Sequence, residues 1–567
     1  MIKRSKKSIP LILSATMLVS SMLPTGISFA ASPDTVNVSI DTSAEKTPIS
    51  PYIYGENFDD LSGAAVTARR QGGNRMTGYN WENNASNAGS DYLNNSDNYM
   101  VSSLPASQQS IPGIAVTNFV DSSISKGIPY SLVTLQMAGY VAKDMNGPVS
   151  AAETAPSARW AEVKPAKGSA FSSKPDLTDN YVYMDEYVNY LVSKYGKAST
   201  NSGIKGYSLD NEPALWPNTH SKIHPDKTTC EELVNKSTAL SSAVKNVDPD
   251  AEIFGPALYG YAAYLTLQDA PDWSTYKNSY DNVFINYFLD QMKKKSETAG
   301  KRLLDVLDVH WYPEAQGGNI RICNENDGTN IDCNKARIQA PRTLWDKTYK
   351  ENSWLSGSSY LPLLPKLNDS ISKYYPGTKL AITEYYYGGS NHISGGIAEA
   401  DVLGLYGKNN VYLATLWGSC SSTSYIDSGV NIYRNYDGKK STYGDTSVKA
   451  VTSDNENSSV YSSYDSKDPS KLHIIMINKN YDNPVTVNFS IADSKKYTSG
   501  RAWAFDRSGS AITERAAVTG INNNTFSYTL PALSVYHIVL DSSGTATIVG
   551  DVNGDGKINS TDSSLIK

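Results

Sequence analysis

Eight short apolar runs alternate with amphipathic stretches between about residues 52 and 417 of this 567-residue chain. Such an alternation is typical of a parallel β/α architecture, and eight runs fit a (β/α)8 barrel. The predicted strands cover residues 53–55, 66–70, 130–135, 204–209, 253–254, 306–311, 380–383 and 412–417. Between them, apolar residues recur at spacings of three and four and predict helices over residues 183–195, 231–247, 283–295 and 397–406.

The pattern changes beyond about residue 421, where helical periodicity gives way to alternating strands. These predicted strands cover residues 472–477, 485–489, 502–505, 526–530 and 535–540, and they indicate a β-sandwich. An alternating run at 35–40 is set apart by Pro48 and Pro51 and is expected to complete that sandwich. The predicted organisation is therefore an N-terminal strand segment at 31–47, a barrel at 48–420, a sandwich at 421–541, a linker at 542–549 and a tail at 550–567.

The first 30 residues have the composition of a secretory signal peptide. Four basic residues precede an apolar run from about residue 9 to 23, and Ser28 and Ala30 are small residues suited to signal peptidase. Pro10 and Pro24 interrupt the run, which is also shorter than a membrane span. We therefore expect a secreted, extracellular protein. The chain has a net charge of -6 and no run of basic residues, a pattern that does not favour binding to nucleic acid or to an anionic membrane.

Two glutamates end apolar runs in the predicted barrel. Glu212 follows the run at 204–209, and Glu384 follows the run at 380–383. Parallel barrels build their active sites at the C-terminal ends of the strands, where both carboxyl groups are expected. Glycoside cleavage commonly needs one carboxylic acid and one carboxylate on either side of the bond. The pair thus predicts the acid and the nucleophile of a retaining glycosidase, although neither glutamate is specific alone.

Cysteine and histidine give little support to a metal-dependent hydrolase, because no spacing resembles a zinc site. Cys323 and Cys333 bracket a polar loop that a disulfide could close in an oxidising compartment, but spacing alone cannot establish the bond. The richness of acidic and amide residues in the loops makes a structural calcium ion in the barrel a further expectation, without identified ligands.

The tail carries an EF-hand-like calcium loop. Gly556 stands at the sharp turn of the loop, and the spacing of oxygen donors matches loop positions 1, 3, 5, 7, 9 and 12. The predicted calcium ligands are Asp551, Asn553, Asp555, Lys557 through its carbonyl, Asn559 and Asp562.

With this loop, the tail resembles the first repeat of a dockerin, the module that attaches cellulosomal enzymes to cohesins on a scaffold. Ser560 and Thr561 fall where dockerins carry their recognition pair. Dockerins have two such repeats, and residues 550–567 correspond to an incomplete first repeat. The resemblance implies a calcium cofactor, and a scaffold cohesin as partner if the module is complete.

Residues 35 to 540 resemble a glycoside hydrolase family 44 endoglucanase. Four segments carry the resemblance: GGNRMTGYNWENN at 72–84, LDNEPALW at 209–216, DVHWYP at 308–313 and ITEY at 382–385. The resemblance implies a TIM-like barrel with a β-sandwich, and a retaining endo-β-1,4-glucanase that often tolerates xyloglucan, xylan or related chains. No cofactor is needed for this chemistry.

On this resemblance, Glu212 is the general acid/base and Glu384 the nucleophile, with carboxyl groups about 5 to 5.5 Å apart. Burial near Trp216 and the charge of Glu384 are expected to raise the pKa of Glu212. Asn211 is expected to bond the 2-hydroxyl of the sugar being cleaved, or else to act as a turn residue.

The same segments supply further candidate substrate contacts. Arg75, beside Asn74, is expected either to donate to the carboxylate of Glu384 or to pair for structure alone. His310 and Tyr312 are expected to face the same mouth. The candidate sugar platforms, each of which could instead belong to the core, are Trp81, Trp216, Trp311, Tyr385 and Trp417.

Two alternatives remain open on the sequence alone. A xyloglucanase, xylanase or mannanase can be built on the same barrel, because loop shape decides the tolerated sugar. A non-catalytic polysaccharide-binding protein would also explain the aromatic residues and the signal peptide, but not the two glutamates at strand ends.

Overall fold

The computed structural model describes residues 34–58, 61–62, 65–418, 421 and 423–542. The predicted signal peptide and the predicted calcium loop lie outside these residues. Within the described part of the chain, the helices are either too short or too polar to cross a bilayer.

Eight parallel strands close into a barrel in chain order, which confirms the prediction. The eighth strand closes the barrel by pairing with the first, where Leu413 lies opposite Tyr52. Each predicted run overlaps one observed strand. The barrel strands are Tyr52–Glu56, Ala68–Gln71, Tyr130–Leu135, Gly206–Leu209, Glu252–Leu258, Val306–Trp311, Lys379–Tyr385 and Val411–Leu416.

Helices follow the second to the eighth barrel strands. The four predicted helices are confirmed, with ends that differ by a few residues. In chain order these helices are Ile114–Ser125, Met184–Tyr195, Cys230–Val247, Phe284–Ala299, Leu363–Tyr374, Ile393–Lys408 and Tyr425–Arg434. Shorter helices, including Asn74–Thr77, Trp216–Thr219, Tyr261–Thr266, Trp273–Tyr276 and Ile331–Gln339, lie in the connections.

The barrel interior changes from apolar to polar toward the C-terminal ends of its strands. An inner cluster is formed by Ala68, Tyr130, Leu132, Phe254, Val306, Ala381 and Leu413. Because every second residue of a strand faces the same side, the next inward layer follows two residues later. That layer contains buried polar groups, namely Arg70, Thr134, Asp308, Thr383 and Thr415. A polar floor therefore lies directly beneath the mouth of the barrel.

A ten-stranded sheet lies beside the barrel, and three small sheets of two or three short strands lie in the loops. Strand Asp34–Asp41 lies between Thr446–Thr452 and Val485–Ala492, so it belongs to this sheet as expected. Its inward residues share one apolar core with strands from the rest of the sheet. The other strands of this sheet are Thr47–Pro48, Ser458–Asp465, Asp468–Asn478, Tyr497–Asp506, Gly509–Glu514, Thr525–Leu530 and Ser534–Ser542.

A buried ion pair joins the sheet to the barrel. Lys479 Nζ lies 2.6 Å from Asp401 Oδ2 on helix Ile393–Lys408, and both side chains are at most 1% exposed. Tyr461 donates its hydroxyl to the other carboxylate oxygen of Asp401. Gly404 allows this contact, because a Cβ there would collide with the Tyr461 ring.

Replacing Lys479 by Met leaves the carboxylate of Asp401 buried without its counter-charge. We expect Lys479→Met to lower the free energy of unfolding by about 3–5 kcal/mol, measured by urea denaturation followed by circular dichroism. Lys373→Met is the matched control, because it removes an exposed ion pair with Asp281 and is expected to leave the midpoint unchanged. A Lys479→Met protein as stable as wild type would contradict this account.

Candidate active site

Glu212 and Glu384 meet at the C-terminal mouth of the barrel. One carboxylate oxygen of each, together with a ring nitrogen of His310, lies within 4.8 Å of the others. Retaining glycosidases place their carboxyl groups about 5–5.5 Å apart, whereas inverting enzymes leave about 6.5–9.5 Å for a water molecule. The spacing therefore fits direct attack by one of the two carboxylates.

A tightly bonded turn presents Glu212. Asp210 and Glu212 both have positive φ angles, of 63° and 46°, which ordinary side chains adopt only at a cost. The buried carboxylate of Asp210 offsets that cost by accepting from the backbone amides of Met137, Ala138 and Asn211. The turn at the tip of the fourth strand is thereby fixed to the loop that follows the third.

Glu384 is presented by an irregular strand end. Its pairing with the eighth strand shifts register between Ile382 and Tyr385. Its pairing with the sixth strand shifts register between Val309 and His310. The hydroxyl of Thr383 donates to Asp308 inside the barrel, while the adjacent Glu384 also faces the mouth. In a regular strand these neighbours would point to opposite faces. The irregularity therefore aims the carboxylate at the site.

Arg70 provides the counter-charge of Glu384. Its fully buried guanidinium donates through Nη1 to Glu384 Oε1 at 2.7 Å and through Nη2 to Asn211 Oδ1 at 2.7 Å. Of the two alternatives for Arg75, donation to Glu384 was wrong and pairing for structure is confirmed. Arg75 instead pairs with Asp97 at 2.6 Å and lies over the ring of Tyr99.

His310 and Tyr312 complete the surroundings of the two carboxyl groups. His310 Nδ1 lies 2.9 Å from Glu212 Oε1 and 3.5 Å from Glu384 Oε2. Burial lowers the pKa of His310 to about 3, so the ring is neutral. The hydroxyl of Tyr312 donates to Glu384 Oε2 at 2.7 Å. These positions agree with the expectation that both side chains face the mouth.

The two glutamates differ in their electrostatic surroundings. Burial raises the pKa of Glu212 to about 7, the positive charge of Arg70 opposes the shift, and the negative charge of Asp91 adds to it. Glu384, by contrast, has an arginine as a direct partner. With 14% of its side chain exposed, Glu212 remains reachable from the mouth. One carboxyl group thus has a pKa near neutral pH, while the other is paired with a buried guanidinium.

Asn211 and Asn74 form a short amide chain beside Glu212. Asn211 accepts from Arg70 and donates through Nδ2 to Asn74 Oδ1 at 3.2 Å, and Asn74 in turn donates to Asp91. Trp216 supports this chain, because its indole nitrogen donates to the carbonyl of Asn211. The side chain of Asn211 is therefore fixed in one orientation.

Four of the five predicted sugar platforms belong to the core. Trp81, Trp216, Trp311 and Tyr385 are at most 1% exposed, so the prediction that they present faces to sugar was wrong. The Trp81 ring stacks on Tyr187, and the Tyr385 hydroxyl donates to buried Glu399. Trp417 alone among the five is half-buried, and its ring meets that of exposed Phe58 at a centroid distance of 4.8 Å.

Sequence reasoning missed Arg70, Asn57 and Asp308. Arg70 lies on the second barrel strand and Asn57 just after the first, each near the C-terminal end of its strand, which is the same signal that identified the glutamates, whereas Asp308 lies in the middle of the sixth strand. Cys323 and Cys333 do not form the disulfide that their loop would allow, because both are free thiols.

The cluster of Glu212, His310 and Glu384 has a spacing that could hold a metal ion, but the positive charge of Arg70 opposes a second cation there. The calcium ion expected in the barrel stays a prediction.

Comparisons with known proteins agree with this geometry. The model of glycoside hydrolase family 44 matches residues 84–315. Endoglucanase A of Paenibacillus lautus is 56% identical over 573 residues, which cover 99% of this chain and 81% of that protein. A family 44 endoglucanase from Clostridium thermocellum is 62% identical with a TM-score of 0.87, covering 90% of this chain and all of that one. A Paenibacillus polymyxa family 44 xyloglucanase, solved with xyloglucan, is 54% identical with the same TM-score and coverage.

The raised pKa of Glu212 predicts a carboxyl group that is protonated below about pH 7 and ionised above it. Carbon-13 NMR of glutamate-labelled protein is expected to show a side-chain signal that titrates near pH 7 and is absent from Glu212→Gln. Glu399→Gln is the matched control, because burial also raises the pKa of Glu399 to about 7. If the signal lost in Glu212→Gln titrates near 4.5, the environment assigned to Glu212 is incorrect.

Proposed function

This chain belongs to glycoside hydrolase family 44, and we propose that it cleaves internal bonds of cellulose and related β-1,4-glucans by double displacement, with Glu212 as acid/base and Glu384 as nucleophile. It is a glycoside hydrolase with endo-β-1,4-glucanase activity. One observation carries the proposed roles of the two residues, namely the close approach of their carboxyl groups. Burial raises the pKa of Glu212 to about 7, whereas Glu384 is paired with the buried Arg70.

In the first step, a carboxylate oxygen of Glu384 attacks the anomeric carbon of the sugar. The glycosidic carbon–oxygen bond breaks, and Glu212 transfers its proton to the departing oxygen. The products are a glycosyl ester on Glu384 and a shortened glucan with a free hydroxyl. Arg70 and Tyr312 hold the attacking carboxylate in place, so little reorganisation is needed.

In the second step, the carboxylate of Glu212 takes a proton from a water molecule whose oxygen attacks the anomeric carbon. The ester bond to Glu384 breaks, and both residues regain their starting states. The neutral ring of His310 lies against both carboxyl groups and adds no charge to compete with the proton on Glu212. To Asn211, which is held by Arg70 and Asn74, we assign the bond to the sugar 2-hydroxyl.

Xyloglucan is a second candidate substrate. The 54% identity to a xyloglucanase over nearly the whole barrel and sandwich supports this extension. The chemistry at the backbone glucose would be the same, since loop shape decides which branched chains the barrel accepts. Hydrolysis of xyloglucan and of unbranched glucan by one preparation, compared as kcat/KM, tests it.

The proposal also covers the two ends of the chain. Residues 1–30 direct secretion, and residues 550–567 bind calcium through Asp551, Asn553, Asp555, Lys557, Asn559 and Asp562 as part of a dockerin. The sequence patterns of these segments support both statements. A complete dockerin would attach the enzyme to a scaffold cohesin.

Retention predicts which anomer forms first. Proton NMR of cello-oligosaccharide hydrolysis is expected to show β-anomeric reducing ends from internal bonds before mutarotation produces the α-anomer. Prompt α-anomer would mean inversion and would remove Glu384 as nucleophile.

Glu212→Gln and Glu384→Gln are each expected to lower turnover by at least about a thousandfold, because each removes one of the two required carboxyl groups. Reducing-sugar assays measure the rate, and circular dichroism checks the fold. Glu399→Gln serves as a control, because it removes a buried carboxyl group that has no role in cleaving the glycosidic bond. A Glu212 or Glu384 variant that keeps more than about a tenth of the wild-type rate would exclude that residue from the mechanism.

A further inference from the structure

Asn57 lies at the end of the first barrel strand and bonds to three other strands. Its Nδ2 donates to the carbonyl of Thr383 at 2.9 Å and to those of Thr415 and Leu416 at 3.2 Å each. Its Oδ1 accepts from Arg70 Nη1 at 3.1 Å. Both ends of the amide are therefore used, and the orientation of the side chain is fixed by its partners.

The contact with Thr383 compensates for the irregular end of the seventh strand. The register shift between Ile382 and Tyr385 interrupts the regular pairing with the eighth strand at this carbonyl. The amide of Asn57 and the hydroxyl of Thr415 both donate to it instead. A buried carbonyl without a donor is costly, so these side chains stabilise the backbone from which Glu384 projects.

The contact with Arg70 acts on the same carboxylate from the other side. Arg70 Nη1 donates to both Asn57 and Glu384, while Nη2 donates to Asn211. Without Asn57, one side of the buried guanidinium would lose its acceptor, and the bond to Glu384 would no longer have a fixed direction.

We propose that Asn57 is a positioning residue of the glucanase reaction, which orients Arg70 and fixes the strand end that carries Glu384. The proposal rests on the proposed role of Glu384 as nucleophile. Asn57 acts through these groups, and its amide forms no bond to either catalytic carboxylate among the described contacts. Because displacement of a reacting group by about 1 Å can cost about a hundredfold in rate, a residue of this kind affects turnover more than substrate binding.

Asn57→Ala is expected to lower kcat on a soluble cello-oligosaccharide about thirtyfold and to leave KM within about twofold. Thr67→Val is the matched control. It removes a buried side-chain donor to the carbonyl of Tyr54 on the first barrel strand without touching Arg70 or Thr383, and it is expected to keep kcat within about threefold.

A double-mutant cycle tests the route through Arg70. In Arg70→Lys, which keeps a charge but cannot form the same three bonds, adding Asn57→Ala is expected to lower kcat by less than about tenfold, because only the contact with Thr383 remains to be lost. An equal loss in both backgrounds, or an Asn57→Ala enzyme with wild-type kcat, would overturn the proposal. If thermal unfolding shows that Asn57→Ala does not fold, Asn57→Ser is measured in the same cycle. A wild-type enzyme that cleaves no glucan would instead contradict the proposed function.

Discussion

The buried guanidinium of Arg70 is the constraint on which the site depends. A charge removed from water is tolerated only when it is paired and hydrogen-bonded, and breaking such a pair is expensive. Its three partners, Asn57, Asn211 and Glu384, come from the ends of the first, fourth and seventh barrel strands. One group therefore fixes the relative positions of strand ends that lie far apart in the chain.

The contrast between the two glutamates follows from this placement. Glu384 bonds directly to the guanidinium, whereas Glu212 has a neutral histidine as its nearest partner and a raised pKa caused by burial. Two residues of the same type thus have different surroundings, and such a difference is the general means by which one fold provides both an acid and a nucleophile. The tight turn at Asp210 and the irregular strand at Thr383 bring these surroundings together.

The alternation of short runs was enough to predict the barrel, its eight strands and both glutamates, because a strand end in a parallel barrel has a known location. Choosing between Arg70 and Arg75 required the register: Ala68 faces inward, so Arg70 does too, while Arg75 lies beyond the strand on a short helix. Alternation also explains why Trp311 is core, since His310 already faces the mouth. Burial of Trp81 and Trp216 depends on loop packing, for which residue type gives no signal.

The direction of Glu384 marks the physical limit of such reasoning. Strict alternation from Ala381 places Thr383 inside the barrel and would turn Glu384 toward the helices. The register shift removes that restriction, and the released carbonyl of Thr383 is bonded by Asn57 from a strand more than 300 residues earlier in the chain. Local periodicity contains no information about such a partner. Local sequence periodicity thus specifies the regular part of the barrel. The orientation of the Glu384 carboxylate depends instead on long-range side-chain hydrogen bonds, which replace the backbone pairing where the regular strand ends.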